Sequence, residues 1–353
     1  MVSKKILAWL STMGIGYVSS ENKATSRLKS LSECESMRIL VTGGAGFLGS
    51  SLVESLVTQG YEVVVLDNCW RGKKENLRSV EDRIEFIEGD ASQSTSYQEL
   101  LNPHGIDLVY HLAAINGTKW FHEEPRMVMD VNLNSTLRSL EFAEEHNCRY
   151  VFTSSPEAFG ESDIMPLGSD EASIFPASHH HQRHAYGASK YLGEIAVQHA
   201  ARKGLDARIV RPFNGYGPRL LGDDYGQVVS MMMERAVHHG EIIVHGDGTQ
   251  TRSLTYIDDL VRGIESSGFV EGLAGLSLNL GSEHELSMHE LAQRIADLVE
   301  QETGRLTQLR FASGHPGDSK RRLPNLTQTK KHLGWSAEIS LDEGLLQTLR
   351  SML

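Results

Sequence analysis

Residues Met37–Asn68, MRILVTGGAGFLGSSLVESLVTQGYEVVVLDN, carry the most informative pattern in the chain. It opens with an apolar run at residues 39–41, turns through glycines at 43, 46 and 49, and continues as an amphipathic stretch to Gln59. A second apolar run, Val63–Leu66, ends in Asp67. Glycines between a strand and a helix let backbone N–H groups and the helix N-terminus approach a pyrophosphate. An acid 18 residues after Gly49 can accept hydrogen bonds from an adenosine ribose and repel a 2′-phosphate. The pattern predicts a dinucleotide site that prefers NAD to NADP. Its first candidate residues are Gly43, Gly46, Phe47, Leu48, Gly49, Asp67 and Asn68. Arg71, Lys73 and Lys74 follow the acid and read as a solvated loop.

The alternation continues outward from this unit. RIEFIEGD (83–90) reads as a third strand, IDLVYHLAA (106–114) as a fourth and RYVFTSS (149–155) as a fifth, with a long helix over 125–146. Strands alternating with helices predict an α/β fold with a parallel, doubly wound sheet of the Rossmann type, whose ligands lie at the carboxyl ends of the strands. Asp90, Ala113, Ala114 and Ser155 fall at such ends, with Ala91 and Leu112 beside them. The segment HAYGASKYLGEIAVQHAARKG, from His184, reads as a helix. Tyr186 and Lys190 are four residues apart and share one of its faces. Such a pair often arises by chance, and the spacing alone favours that reading; the chemical alternative is that a neighbouring ammonium stabilises a phenolate and lowers the Tyr186 pKa toward the working range of a base.

The totals narrow the class. The 353 residues are 40% hydrophobic and 23% charged, as in an ordinary globular protein. A net charge of −12 argues against a nucleic-acid binder, which needs an excess of Lys and Arg. Cys34, Cys69 and Cys148 form no CxxC pair, so a reducing, cytoplasmic setting is expected without disulfides or a zinc ribbon. Residues 1–36 read as a dispensable extension; their apolar stretch, KKILAWLSTMGIGYV, is too short for stable membrane insertion. SHHHQRH (178–184) reads as a polar loop and not a metal site, because adjacent histidines do not converge as ligands. The three methionines of VVSMMMERA (228–236) read as core or pocket wall.

TGGAGFLG, LDN, HLAA, SSPEAFG, Tyr186-x-x-x-Lys190, RPFNGYGPR, GDGTQTRSLTYIDDL and HPGD together resemble the extended short-chain dehydrogenase/reductase family, in its nucleotide-sugar epimerase/dehydratase branch. The resemblance runs from about Met37 to the C-terminus. It implies a Rossmann domain over 37–212 holding NAD and a smaller, partly interleaved lobe over 213–353 holding a nucleoside-diphosphate sugar, in a protein expected to be a homodimer. By that resemblance Tyr186 is the catalytic base, Lys190 lowers its pKa and binds the nicotinamide ribose, and Ser155 hydrogen-bonds the reacting sugar hydroxyl. Asn132 resembles an asparagine near the cofactor. Asn214 and Arg252 match positions that hold the diphosphate and nucleotide, with Arg322 and Asp318 as further contacts. Glu157 matches the glutamate that dehydratases use on the C5 proton, while Pro156 stands where they carry Asp or Ser. Arg183 is placed like an arginine of UDP-glucuronate decarboxylases. The implied reaction passes through a transient 4-keto sugar and recycles NAD, leaving epimerase, dehydratase and decarboxylase outcomes open beside a net carbonyl reductase.

Overall fold

The computed structural model describes residues 37–100, 105–179, 184–222, 227–314 and 320–353. The N-terminal extension, Arg183, His315 and Asp318 therefore lie outside the described residues. From Met37 to Leu353 the chain is one compact unit.

Its centre is a parallel sheet whose first strands are β1 (Arg38–Thr42), β2 (Glu62–Asp67) and β3 (Ile84–Glu88). β4 (Leu108–His111), β5 (Arg149–Thr153) and β6 (Ala207–Pro212) extend it on the other side. Among the smaller strands are β7 (Gly215–Tyr216), β8 (Glu241–His245), β9 (Thr251–Ser253) and β10 (Thr255–Tyr256). β11 (Ser277–Leu280) pairs with β6, so the last third of the chain closes the main sheet. The order is β11-β6-β5-β4-β1-β2-β3. All neighbours run parallel, and the strand order reverses between β1 and β4, the switch point where such sheets open a crevice.

Side-chain alternation explains why both faces are covered. Ile39 and Val41 of β1 join Val63 and Val65 of β2 in one apolar cluster. Leu40, Val64 and Leu66 point the other way into a second cluster. A strand buried on both faces reads as a continuous apolar run, which is why these segments lack polar alternation.

Helices position the crevice. α1 (Phe47–Thr58) follows the glycine turn, and α2 (Thr118–Glu123) is a short helix after β4. α3 (Pro125–His146) starts with proline at its first turn and ends at Asn147 in the left-handed region. It matches the expected helix at both ends. α4 (His184–Arg202) carries Tyr186 and Lys190. α5 (Val228–His239) lies over β8, and its Met231 and Met232 reach the crevice wall while Met233 is fully buried.

Candidate active site

A cavity of about 1910 Å³ opens over the switch point. That exceeds the ~300–1,000 Å³ typical of a site for one small ligand, so it has room for two. At one end lies the glycine cradle. Gly43 has φ +73, and a Cβ there would sit 2.7 Å from the Ala113 nitrogen. A Cβ on Gly49 would lie 2.1 Å from the Gly43 carbonyl oxygen. Side chains are thus excluded, and the N-terminus of α1 has no side-chain cap among its partners. Those N–H groups face a cavity wall where a pyrophosphate fits.

Asp67 stands at the end of β2, on the cavity wall and mostly buried. Its carboxylate accepts N–H bonds from Ala45 at 2.9 Å and Cys69 at 2.8 Å, which aim it across the turn. Burial pushes its pKa up against those two bonds. Gly46, Phe47, Leu48, Asn68, Asp90, Ala91, Leu112, Ala113 and Ala114 all line the same cavity. These residues fit a dinucleotide on steric and hydrogen-bonding grounds alone.

At the far end of the cavity, beyond β5, Ser155, Glu157, Tyr186 and Lys190 converge. Ser155 caps the turn Pro156–Phe159, its Oγ accepting the Glu157 N–H at 3.3 Å. The same hydroxyl lies near enough to the Tyr186 phenol to act on its pKa. Tyr186 stacks on Phe121 of α2 with centroids 4.8 Å apart. Gly187 explains how α4 comes so close to the turn: a Cβ there would lie 2.3 Å from the Glu157 carbonyl oxygen. Glycine at 187 is therefore a packing requirement.

The electrostatics differ from the expectation. Burial drives the Tyr186 pKa up, more than the Ser155 hydroxyl brings it down. Lys190 sits beneath, donating to the Thr153 carbonyl at 2.8 Å, and burial lowers its pKa to about 7 against the pull of Glu194. The shared face is real, but desolvation acts on both groups and opposes their charged forms.

Two other expectations change. Asn132 is buried away from the cavity, its amide clamping the backbone of Ile115 through bonds of 2.7 and 3.1 Å and reaching Ser189 at 3.4 Å. It fixes the loop after β4 and does not line the cofactor groove. Arg322 is 3% exposed and is likewise absent from the cavity wall. Asn214 and Arg252 do line it, Asn214 with φ +40 and its amide on the Ser253 carbonyl. Sequence reasoning missed Arg219, Arg235 and Gln250 on the same wall. Arg219 lay within the quoted RPFNGYGPR, whereas Arg235 carried no motif signal.

A doubly wound sheet with a glycine cradle, a carboxylate at the end of β2 and a Tyr–Lys helix beside it defines a dinucleotide-dependent enzyme. Residues 39–266 match the NAD dependent epimerase/dehydratase family. The chain belongs to that family and is an NAD-dependent enzyme of the epimerase/dehydratase type. It is 32% identical over 316 residues to a UDP-N-acetyl-alpha-D-glucosaminuronate decarboxylase of Bacillus cytotoxicus, covering 89% of this chain and 97% of that one. It is 33% identical over 313 residues to UDP-glucuronic acid decarboxylase 1 of Arabidopsis thaliana, covering 88% and 68%. Among solved structures, UDP-glucose 4-epimerase of Thermotoga maritima superposes with a TM-score of 0.81 at 28% identity, over 90% of this chain and 98% of that one.

Proposed function

We propose that the protein decarboxylates a UDP-linked hexuronate without net redox change, by way of a transient 4-keto sugar. The observation that carries this reading is the convergence of Ser155, Tyr186 and Glu157 on one wall of a cavity whose other end is built for a dinucleotide. Decarboxylase relatives at 31–33% identity supply the substrate class. NAD⁺, held by the Gly43–Gly49 cradle and Asp67, would supply a reversible hydride acceptor for C4. Tyr186, as phenolate, takes the C4 hydroxyl proton and later gives it back, with Ser155 orienting the hydroxyl. Lys190, buried beneath, adds positive charge that favours phenolate once it is protonated.

A 4-keto uronate is a β-keto acid. Its C5–C6 bond breaks, carbon dioxide leaves, and the electron pair passes into the C4 carbonyl as an enolate. C5 then gains a proton, which Glu157 relays from solvent, so one proton is consumed per carbon dioxide released. Pro156 favours this branch over 4,6-dehydration: a proline has no proton for a leaving C6 hydroxyl, and carbon dioxide needs none. Asn214 and Arg252 are assigned to the nucleotide diphosphate, since arginine's fork of donors suits phosphate oxygens.

A homodimer in the cytoplasm completes the proposal. Met129 of α3 and Tyr191, Leu192 and Ile195 of α4 are each exposed on two helices that pack together, and are assigned to the dimer contact. The thiols of Cys69 and Cys148 are free, which suits a reducing compartment. The test is incubation with UDP-glucuronate and its N-acetylated analogue in deuterated water. Loss of carbon dioxide with one deuterium at C5 is expected. Unchanged mass with inverted C4, or loss of water, overturns the decarboxylase reading in favour of an epimerase or a dehydratase.

A further inference from the structure

We propose that Arg322 is a positioning residue that holds Glu157 and its turn in place, and not a contact to the nucleotide sugar; this rests on the role given to Glu157 above. Its Nη2 donates to the Gly160 carbonyl at 2.8 Å and approaches the Glu157 carboxylate at 3.4 Å. Its Nε is buried with no hydrogen-bond partner among the described residues. A buried guanidinium needs its counter-charge, because an uncompensated charge in the interior is strongly unfavourable. Glu157 answers that need while its side chain, 24% exposed, still reaches the cavity.

The anchor itself cannot drift. The Ser253 N–H donates to the Arg322 carbonyl, and the Leu167 N–H to that of Leu323. The Thr251 and Asn325 N–H groups close the lattice on either side, through Lys320 and Leu167 carbonyls. The segment after residue 320 is thus sewn to β9 on one edge and to the loop at Leu167 on the other. The turn it grips is equally constrained. Gly160 has φ +64, and a Cβ there would fall 2.0 Å from the Ile174 carbonyl oxygen. At the other end Glu157 donates its N–H to Ser155, so a displaced Glu157 also disturbs the hydroxyl beside Tyr186. Arg321, the adjacent arginine, pairs instead with Glu285 on the exposed side.

The test uses the full chain and two readouts. Arg322→Met should lower kcat roughly 10²-fold, the lower range of what a positioned acid–base group contributes. UDP affinity by calorimetry should stay within about twofold, because no nucleotide contact is lost. Arg322→Lys, which keeps the charge with a different donor geometry, should give an intermediate kcat at the same UDP affinity, and it carries the test should the methionine variant fold poorly. In a Glu157→Gln background, adding Arg322→Met should cost almost nothing further, since coupled residues act non-additively. A UDP affinity weakened tenfold with kcat unchanged overturns the proposal and makes Arg322 a substrate contact. Fully multiplicative losses in the double variant overturn it as well. A normal kcat in Glu157→Gln alone refutes the role of Glu157, and the positioning argument falls with it. Failure of the wild type on every UDP-sugar instead refutes the proposed function, with the UDP-binding arm still deciding the contact question.

Discussion

Replacing Lys190 by methionine should make the nucleotide-free protein more stable while abolishing turnover. The amine is fully enclosed, and its pKa falls from 10.5 to about 7. At about 1.36 kcal/mol per unit, burying it costs on the order of 4 kcal/mol at neutral pH relative to the unfolded chain. Methionine matches the length of the stem and carries no charge. It also abandons the 2.8 Å bond to the Thr153 carbonyl, and an unpaired interior acceptor costs about 1–3 kcal/mol. The net gain is therefore about 1–3 kcal/mol, or roughly 1–4 °C in Tm for a chain of this size. The sign of the pH dependence follows from the lowered pKa. Between about 7 and 10.5 the unfolded chain binds more protons than the folded one, so wild-type stability rises with pH across that window. The advantage of Lys190→Met should be largest below pH 7 and fade as pH approaches 10.5. Thermal unfolding followed by circular dichroism from pH 6 to 10 measures this directly. A variant that melts lower at pH 6–7, or a difference that does not change with pH, refutes the reasoning.

Tyr186→Phe should reduce turnover by about 10²–10⁴ while leaving NAD affinity nearly unchanged, because the ring still packs on Phe121 and only the proton carrier is gone; near-normal rates would remove Tyr186 from the chemistry. NAD should bind much more tightly than NADP in calorimetric titrations, since a 2′-phosphate meets the aimed carboxylate of Asp67. Equal affinities would mean that Arg71 or Lys73, on the same wall, overrides it. Gly187→Ala should lose activity out of proportion to its size, as its methyl would collide with the Glu157 carbonyl and push α4 off the catalytic turn; unchanged kinetics would show that the helix has slack there.

Local patterns made much of this molecule legible from its residues alone. Apolar runs buried on two faces, a glycine turn and an acid at the next strand's end depend on contacts within about thirty residues, so Met37–Asn68 carried its own reading. Helix periodicity did the same for α3 and for the shared face of Tyr186 and Lys190. What those side chains experience was another matter. Desolvation depends on everything packed around a group, and it raised Tyr186 and lowered Lys190 where the family resemblance implied a lowered phenol. Asn132 lies one residue from the cavity-lining Val131, yet helix rotation turns its amide to the Ile115 backbone. Arg322 meets Glu157 across 165 residues of sequence, a pairing that no local pattern encodes. The far cavity wall is of the same kind: Arg219 and Arg252 come from separate segments, joined there because β7 pairs with β10, which follows β9, and Asn214 bonds the Ser253 carbonyl. Short-range patterns were enough for the first five strands and the glycine cradle, whereas β6 and β11 were not read as strands and Tyr186 and Lys190 stood out through the family resemblance, not through periodicity. Only the tertiary structure decided which charges are buried, which are paired and which face the ligand, because those follow from long-range packing.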